Sequence, residues 1–167
     1  ARADRAAGGT GADMSYVIQE AGDPGAAYMP IWAPLLAFNQ SMAPGAEGQA
    51  FALTLTAPGE AQIEGGLWAL ALWGSFYIGL VVVPEAARGR GLGRALMVRA
   101  EAEARARGCR QMWLDTYAFQ ARPFYERLGF EVFGQLDGPA PMFPRYFMQK
   151  TLAEGQARGV DLAWGRA

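Results

Sequence analysis

A mixed α/β fold is predicted for this 167-residue chain from three observations. An uncharged, β-branched and aromatic run from Phe76 to Val83 feeds the glycine-rich stretch Arg88-Gly89-Arg90-Gly91-Leu92-Gly93, and a helical run starts at about Leu92. A second strand-like segment, Cys109 to Tyr117, follows that helix, so strand, helix and strand alternate. Upstream, Phe51, Leu53 and Leu55 alternate with small or polar residues, and Ala57-Pro58-Gly59-Glu60 turns the chain into Gln62 to Leu72, giving an antiparallel meander. The expected class is α/β in the α+β sense: a mixed, mostly antiparallel central sheet of about six to seven strands flanked by about four helices.

The elements follow in chain order. Residues 1–13, rich in Gly, Ala and charge, read as a flexible lead-in, and a single domain is expected over residues 14–152. A strand is expected at its start. Between Pro30 and Gln40, Pro34 interrupts an apolar helical pattern, which predicts two short helices. Gly65 to Pro84 carries no charge and is long enough to span a bilayer as a helix. Against that reading, Trp73-Gly74-Ser75 forms a turn in its middle and four glycines punctuate it, so two core strands are expected.

From Leu92 to Arg107, Leu92, Leu96, Ala100 and Ala104 recur every four residues, while Glu101 with Arg105 and Glu103 with Arg107 pair on the other side. This amphipathic helix ends at Gly108. Gln120 to Leu128 reads as a short helix with Pro123 in its first turn and Gly129 as its stop. Glu131 to Gly134 and Arg145 to Lys150 read as two last strands, and residues 153–167 as an appended tail.

Composition narrows the function. Fifteen basic against sixteen acidic residues give no excess charge for nucleic acid or a membrane surface. The absence of histidine removes His-based nucleophile activation and His metal ligation, and no metal is expected. Cys109 stands alone and cannot form an internal disulfide, which suits a reducing cytoplasm.

The glycine-rich junction is built for phosphate. Glycines let a ligand approach the backbone, a helix start points free N–H groups and a positive dipole end at an anion, and Arg88, Arg90 and Arg94 add charge. The dinucleotide spacing G-x-G-x-x-G fails, because the third glycine position after Gly89 and Gly91 holds Arg94. A P-loop fails too, since the only lysine is Lys150. What remains is Arg88-x-x-Gly91-x-Gly93, preceded by Val83-Pro84-Glu85. This resembles the acetyl-CoA pyrophosphate loop of the GNAT N-acetyltransferases, and Phe124-Tyr125-Glu126-Arg127-Leu128-Gly129-Phe130 resembles their F-Y-x-x-x-G-F element.

The resemblance runs from about Met14 to Leu152 and implies a GNAT fold whose sheet splays between its fourth and fifth strands. It implies transfer of an acetyl group from acetyl-CoA to a primary amine of a small molecule or peptide by direct attack in a ternary complex. An acetyl-CoA-binding module without turnover, acting through partner contacts, is the alternative, and a homodimer stays open. Cofactor binding is implied for Val81 and Val83, whose backbone would meet the pantetheine arm, and for Arg88, Gly89, Arg90, Gly91, Leu92, Gly93 and Arg94. Tyr125 is implied as proton donor to the leaving thiolate. Ala118 stands where many members have an asparagine, and Phe143 or Pro144 where similar small bacterial members have a histidine. No base is assigned: Phe76 to Val83 lacks the acid some members carry, and Glu64, Glu85 and Asp115 are the nearby carboxylates. Trp32, Phe38, Trp68, Trp73, Tyr77 and Phe143 are candidates for an acceptor cleft.

Overall fold

The computed structural model describes residues 16–43 and 48–152; the expected lead-in and tail lie outside the described residues. The chain forms two compact units, residues 1–44 and residues 45–167. In the first, Tyr16 to Glu20 is irregular, and the rest of the strand expected there lies outside the described residues. It is followed by helix α1, Pro24–Met42. Asp23 caps α1, its Oδ1 accepting the N–H groups of Gly25 at 2.9 Å and Ala26 at 3.2 Å.

The expected break at Pro34 does not occur, because α1 runs through both Pro30 and Pro34. Each proline forfeits one i to i−4 bond, and at four-residue spacing both losses fall along one stripe of the helix, leaving the other turns bonded. Among the described residues there are therefore three α-helices and one short 3-10 turn, Glu85–Ala87, against about four helices expected.

The second unit holds β1 (Gln49–Thr56), β2 (Ile63–Leu72), β3 (Ser75–Val82), α2 (Leu92–Ala106), β4 (Gln111–Tyr117), α3 (Arg122–Arg127), β5 (Glu131–Leu136) and β6 (Arg145–Thr151). The sheet order is β1-β2-β3-β4-β6-β5, with every pair antiparallel except β3 and β4. The uncharged run Gly65 to Pro84 is the β2–β3 hairpin, turned at Trp73 and Gly74 with φ of 48° and 74°. No helix among the described residues is long and apolar enough to cross a membrane.

The core lies against one sheet face. Phe76, Ile78, Met112, Leu114 and Met148 are buried there together with Leu96, Met97, Ala100 and Ala104 of α2. Met97 takes the core place expected of Leu92, which is only partly buried. Glu101 pairs with Arg105 and Glu103 with Arg107, each at 2.7 Å, and Glu101 also bonds Lys150 of β6 at 2.6 Å.

Two irregularities shape the sheet around the site. Trp68 pairs Leu80 but Ala69 pairs Ile78, so Gly79 is the extra residue of a β-bulge in β3. A Cβ at Gly79 would stand 3.0 Å from the Trp68 ring, which explains the glycine. On its other side β3 pairs β4 only from Ser75↔Gln111 to Ile78↔Leu114, although the strands continue to Val82 and Tyr117. This is the splay expected between the fourth and fifth strands, counting the strand anticipated at the start. It frees the β4-facing backbone edge of β3 after Ile78.

Candidate active site

The cleft below this opening encloses about 800 Å³. Its wall combines Val81, Val82 and Val83 with Ala87, Arg88, Gly89, Gly91, Leu92, Gly93 and Arg94, and includes Phe119, Gln120, Ala121, Phe124, Tyr125 and Arg127 from the β4–α3 segment. Thus eight of the nine residues expected to bind the cofactor, together with Tyr125, border one cavity. Arg90 is the exception: it is exposed in the same loop but does not line the wall.

The loop has the conformation its glycines permit. Gly89 has φ of 74°, and Gly91, the N-cap of α2, has φ 76° and ψ 1°, a left-handed geometry that costs other residues energy. No side chain caps α2, so the first-turn N–H groups, which have no intrahelical acceptor, are left to the cleft. Gly93 has a packing role instead: a Cβ there would touch the Phe124 ring at 3.4 Å and Val83 at 3.7 Å. Arg88 is tethered, its Nε donating to the Val83 carbonyl at 3.2 Å. One lone pair of a carbonyl expected to serve the pantetheine arm is therefore already used.

Tyr125 is held on α3 between Phe124 and Phe130, with ring centroids 5.1 and 6.1 Å away. It is 9% exposed. Burial, and then the charge of Asp115, push its phenol above the ordinary value of 10, so it stays protonated at neutral pH. Gln120 is fixed beside it, accepting the Tyr117 N–H at 2.8 Å and the hydroxyl of buried Thr116 at 3.2 Å.

Asp115 stands one residue beyond the last β3–β4 pair. Its Oδ2 accepts from Nε and a terminal nitrogen of Arg145, both at 2.7 Å, and Tyr77 approaches its Oδ1 at 3.5 Å. Burial, then Asp115, raises the Tyr77 phenol as well. Of the carboxylates considered, Asp115 alone acts on Tyr125, while Glu64 and Glu85 are exposed. The aromatic residues considered for an acceptor cleft separate. Tyr77 stacks on Trp113 at 4.2 Å, Phe143 meets Phe119 edge-on at 4.9 Å, and Trp73 is exposed at the hairpin turn.

Apart from Tyr125, sequence reasoning named none of Phe119, Gln120, Ala121, Phe124 and Arg127 as part of the site. Arg127 was legible only as a residue inside the F-Y-x-x-x-G-F segment; its signal is that Arg122 has Glu126 as an i,i+4 partner on the same helix and Arg127 has none.

A parallel strand pair that opens beside a glycine-rich helix start, with Arg88, Arg94 and Arg127 among the lining residues, defines an α/β protein with an arginine-lined cleft. Residues 52–132 match the family model for the acetyltransferase (GNAT) domain. Over 126 residues the chain is 35% identical to an acetyltransferase of Agrobacterium fabrum, covering 75% of this chain and 90% of that protein. It is 35% identical over 92 residues to blasticidin-S acetyltransferase of Streptomyces morookaense, covering 54% of this chain and 68% of that one. A crystal structure from Agrobacterium tumefaciens, assigned as an acetyltransferase, superposes with a TM-score of 0.74 at 31% identity, covering 83% of this chain and all of that one. The chain belongs to the GNAT family of acetyltransferases.

Proposed function

We propose that this acetyltransferase moves an acetyl group from acetyl-CoA to a primary amine of a small molecule or peptide. The observation that carries the reading is the cleft itself: three arginines and a glycine-built helix start share one wall system with a buried, protonated tyrosine. The relative named for blasticidin-S supports a small-molecule acceptor.

Acetyl-CoA supplies the activated thioester. The loop from Arg88 to Arg94 holds the diphosphate through its amides and guanidinium groups. The free edge of β3 from Gly79 to Val82 offers backbone groups to the pantetheine arm, and the N–H near Val81 polarises the thioester oxygen. Tyr125 donates the proton that the departing sulfur takes up. In water that transfer runs uphill by at least 1.5 pKa units, about 2 kcal/mol, which is small beside the barrier of roughly 16 kcal/mol implied by an ordinary turnover. No carboxylate lines the described wall, so the reading gives this chain the binding and acid roles and assigns no base.

The test is thiol release from acetyl-CoA by the purified protein across a panel of aliphatic, aromatic and peptide amines. Release that depends on one amine class supports the reading, and no release with any amine above the rate of hydrolysis defeats it.

A further inference from the structure

A row of aromatic rings in the second unit leads out of the cleft. Phe119 lines the cleft, and its ring stacks on Tyr117 at 5.5 Å and 15° and meets Phe143 edge-on at 4.9 Å. Phe119 and Phe143 are both more than half exposed, so flat apolar surface stays open beside the cleft.

The row ends at a charge. Tyr117 pairs Arg145 across β4 and β6, so both side chains rise from one sheet face, the one opposite buried Leu114 and Thr116. The guanidinium carbon of Arg145 lies 5.4 Å from the Tyr117 ring centre, and its Nε and one terminal nitrogen both donate to Asp115 Oδ2 at 2.7 Å. Asp115 thereby occupies one edge of the fork. The other edge has no acceptor among the described residues, and the side chain is 37% exposed. A guanidinium fixed along one edge and bare along the other is pre-set for a second carboxylate, because its orientation is settled before a ligand arrives.

We propose that Phe119, Tyr117, Phe143 and Arg145 form the acceptor subsite, and that it selects a primary amine carrying a planar ring and, beyond the ring, a carboxylate. The inference rests on the acetyltransferase reading given above and narrows its acceptor. The ring lies against Phe119 and Phe143 while the free edge of Arg145 takes the carboxylate, which leaves the amine at the cleft end of the row. Arg145 already shares its charge with Asp115 and is partly in solvent, so the contact discriminates among acceptors without dominating their binding.

The experiment is steady-state thiol release at saturating acetyl-CoA with three matched primary amines: para-aminomethylbenzoate, its neutral amide para-aminomethylbenzamide, and aminomethylcyclohexanecarboxylate, which keeps the acid but lacks the flat ring. The wild type should prefer the benzoate over each of the others by roughly fivefold to tenfold in kcat/KM, mostly through KM. Arg145→Gln should bring the benzoate-to-benzamide ratio close to one, and Arg145→Lys, which keeps the charge without the fork, should retain part of it. Exposed Phe143→Leu, which threatens the fold least, should instead narrow the preference for the flat ring over the cyclohexane and leave the acid preference standing. A wild type indifferent to the carboxylate or to the ring, or an acid preference that survives Arg145→Gln, overturns the subsite while turnover of other amines leaves the acetyltransferase reading intact. Absence of turnover with every amine overturns that reading and this inference with it.

Discussion

Gly91 separates backbone strain from ligand electrostatics, because two substitutions share the first effect and differ in the second. At φ 76° it holds the left-handed cap of α2, and the position a Cβ would take has no atom within 4 Å. Gly91→Ala therefore meets no clash and carries only the conformational penalty, about 1–2 kcal/mol. For a chain of this size that lowers the melting temperature by about 2–8 °C. Gly91→Glu carries the same penalty, so its melting temperature should match that of the alanine variant. Its carboxylate, however, stands at the mouth of the anion cradle. Two unit charges about 4 Å apart at an effective dielectric near 20 repel by about 4 kcal/mol, and exposure of the loop reduces this to roughly 1–2 kcal/mol. Calorimetry with coenzyme A at low ionic strength should show Gly91→Glu binding about five- to thirtyfold more weakly than Gly91→Ala, with the gap narrowing in molar salt. Equal affinity of the two variants at low salt would refute the placement of the diphosphate in this loop.

Three further outcomes follow from the same contacts. Tyr125→Phe should bind coenzyme A as the wild type does and lose turnover by about 10²–10⁴-fold in the thiol-release assay, since only the proton donor is removed. Because burial and then Asp115 raise the Tyr125 phenol, its acid form persists as pH rises and activity should decline only above pH 10; Asp115→Asn removes the second cause and should move that decline downward in a pH–rate profile. The Glu101 carboxyl is pushed up by burial but pulled further down by its bonds to Lys150 and Arg105, giving a net lowering from 4.5. A depressed folded value means the stabilisation is full above the unfolded value and fades as pH falls. Glu101→Gln should therefore cost about 1–3 kcal/mol in denaturant melts at pH 7, and the difference should shrink below about pH 4.5.

Legibility followed how local the determining physics is. The β2–β3 hairpin could be read because Trp73 and Gly74 must turn it and because the run on either side is uncharged. Strand β3, the loop and α2 were legible together, since a strand that ends in positive-φ glycines before an i,i+4-paired helix has few other solutions. The unbroken α1 was not legible, because whether Pro34 ends a helix depends on how well the neighbouring turns are bonded. Part of the site also escaped reading. The bulge at Gly79, which passes the core-facing positions of β3 from Phe76 and Ile78 to Val81 and Val83, is set by the Trp68 ring on the neighbouring strand and leaves no periodic mark.

The engagement of Asp115 by Arg145 is likewise a contact across thirty residues. It turns a sequence candidate for a free base into a fixed charge that acts on Tyr125 through space. Arg127 shows the converse. Its pattern resembles a plain surface arginine, and only the fold makes it line the same cavity as Arg88 and Arg94. The residues proposed for proton donation and for the diphosphate thus fall in short motifs, whereas the cleft they share is bordered by elements that meet only in the fold.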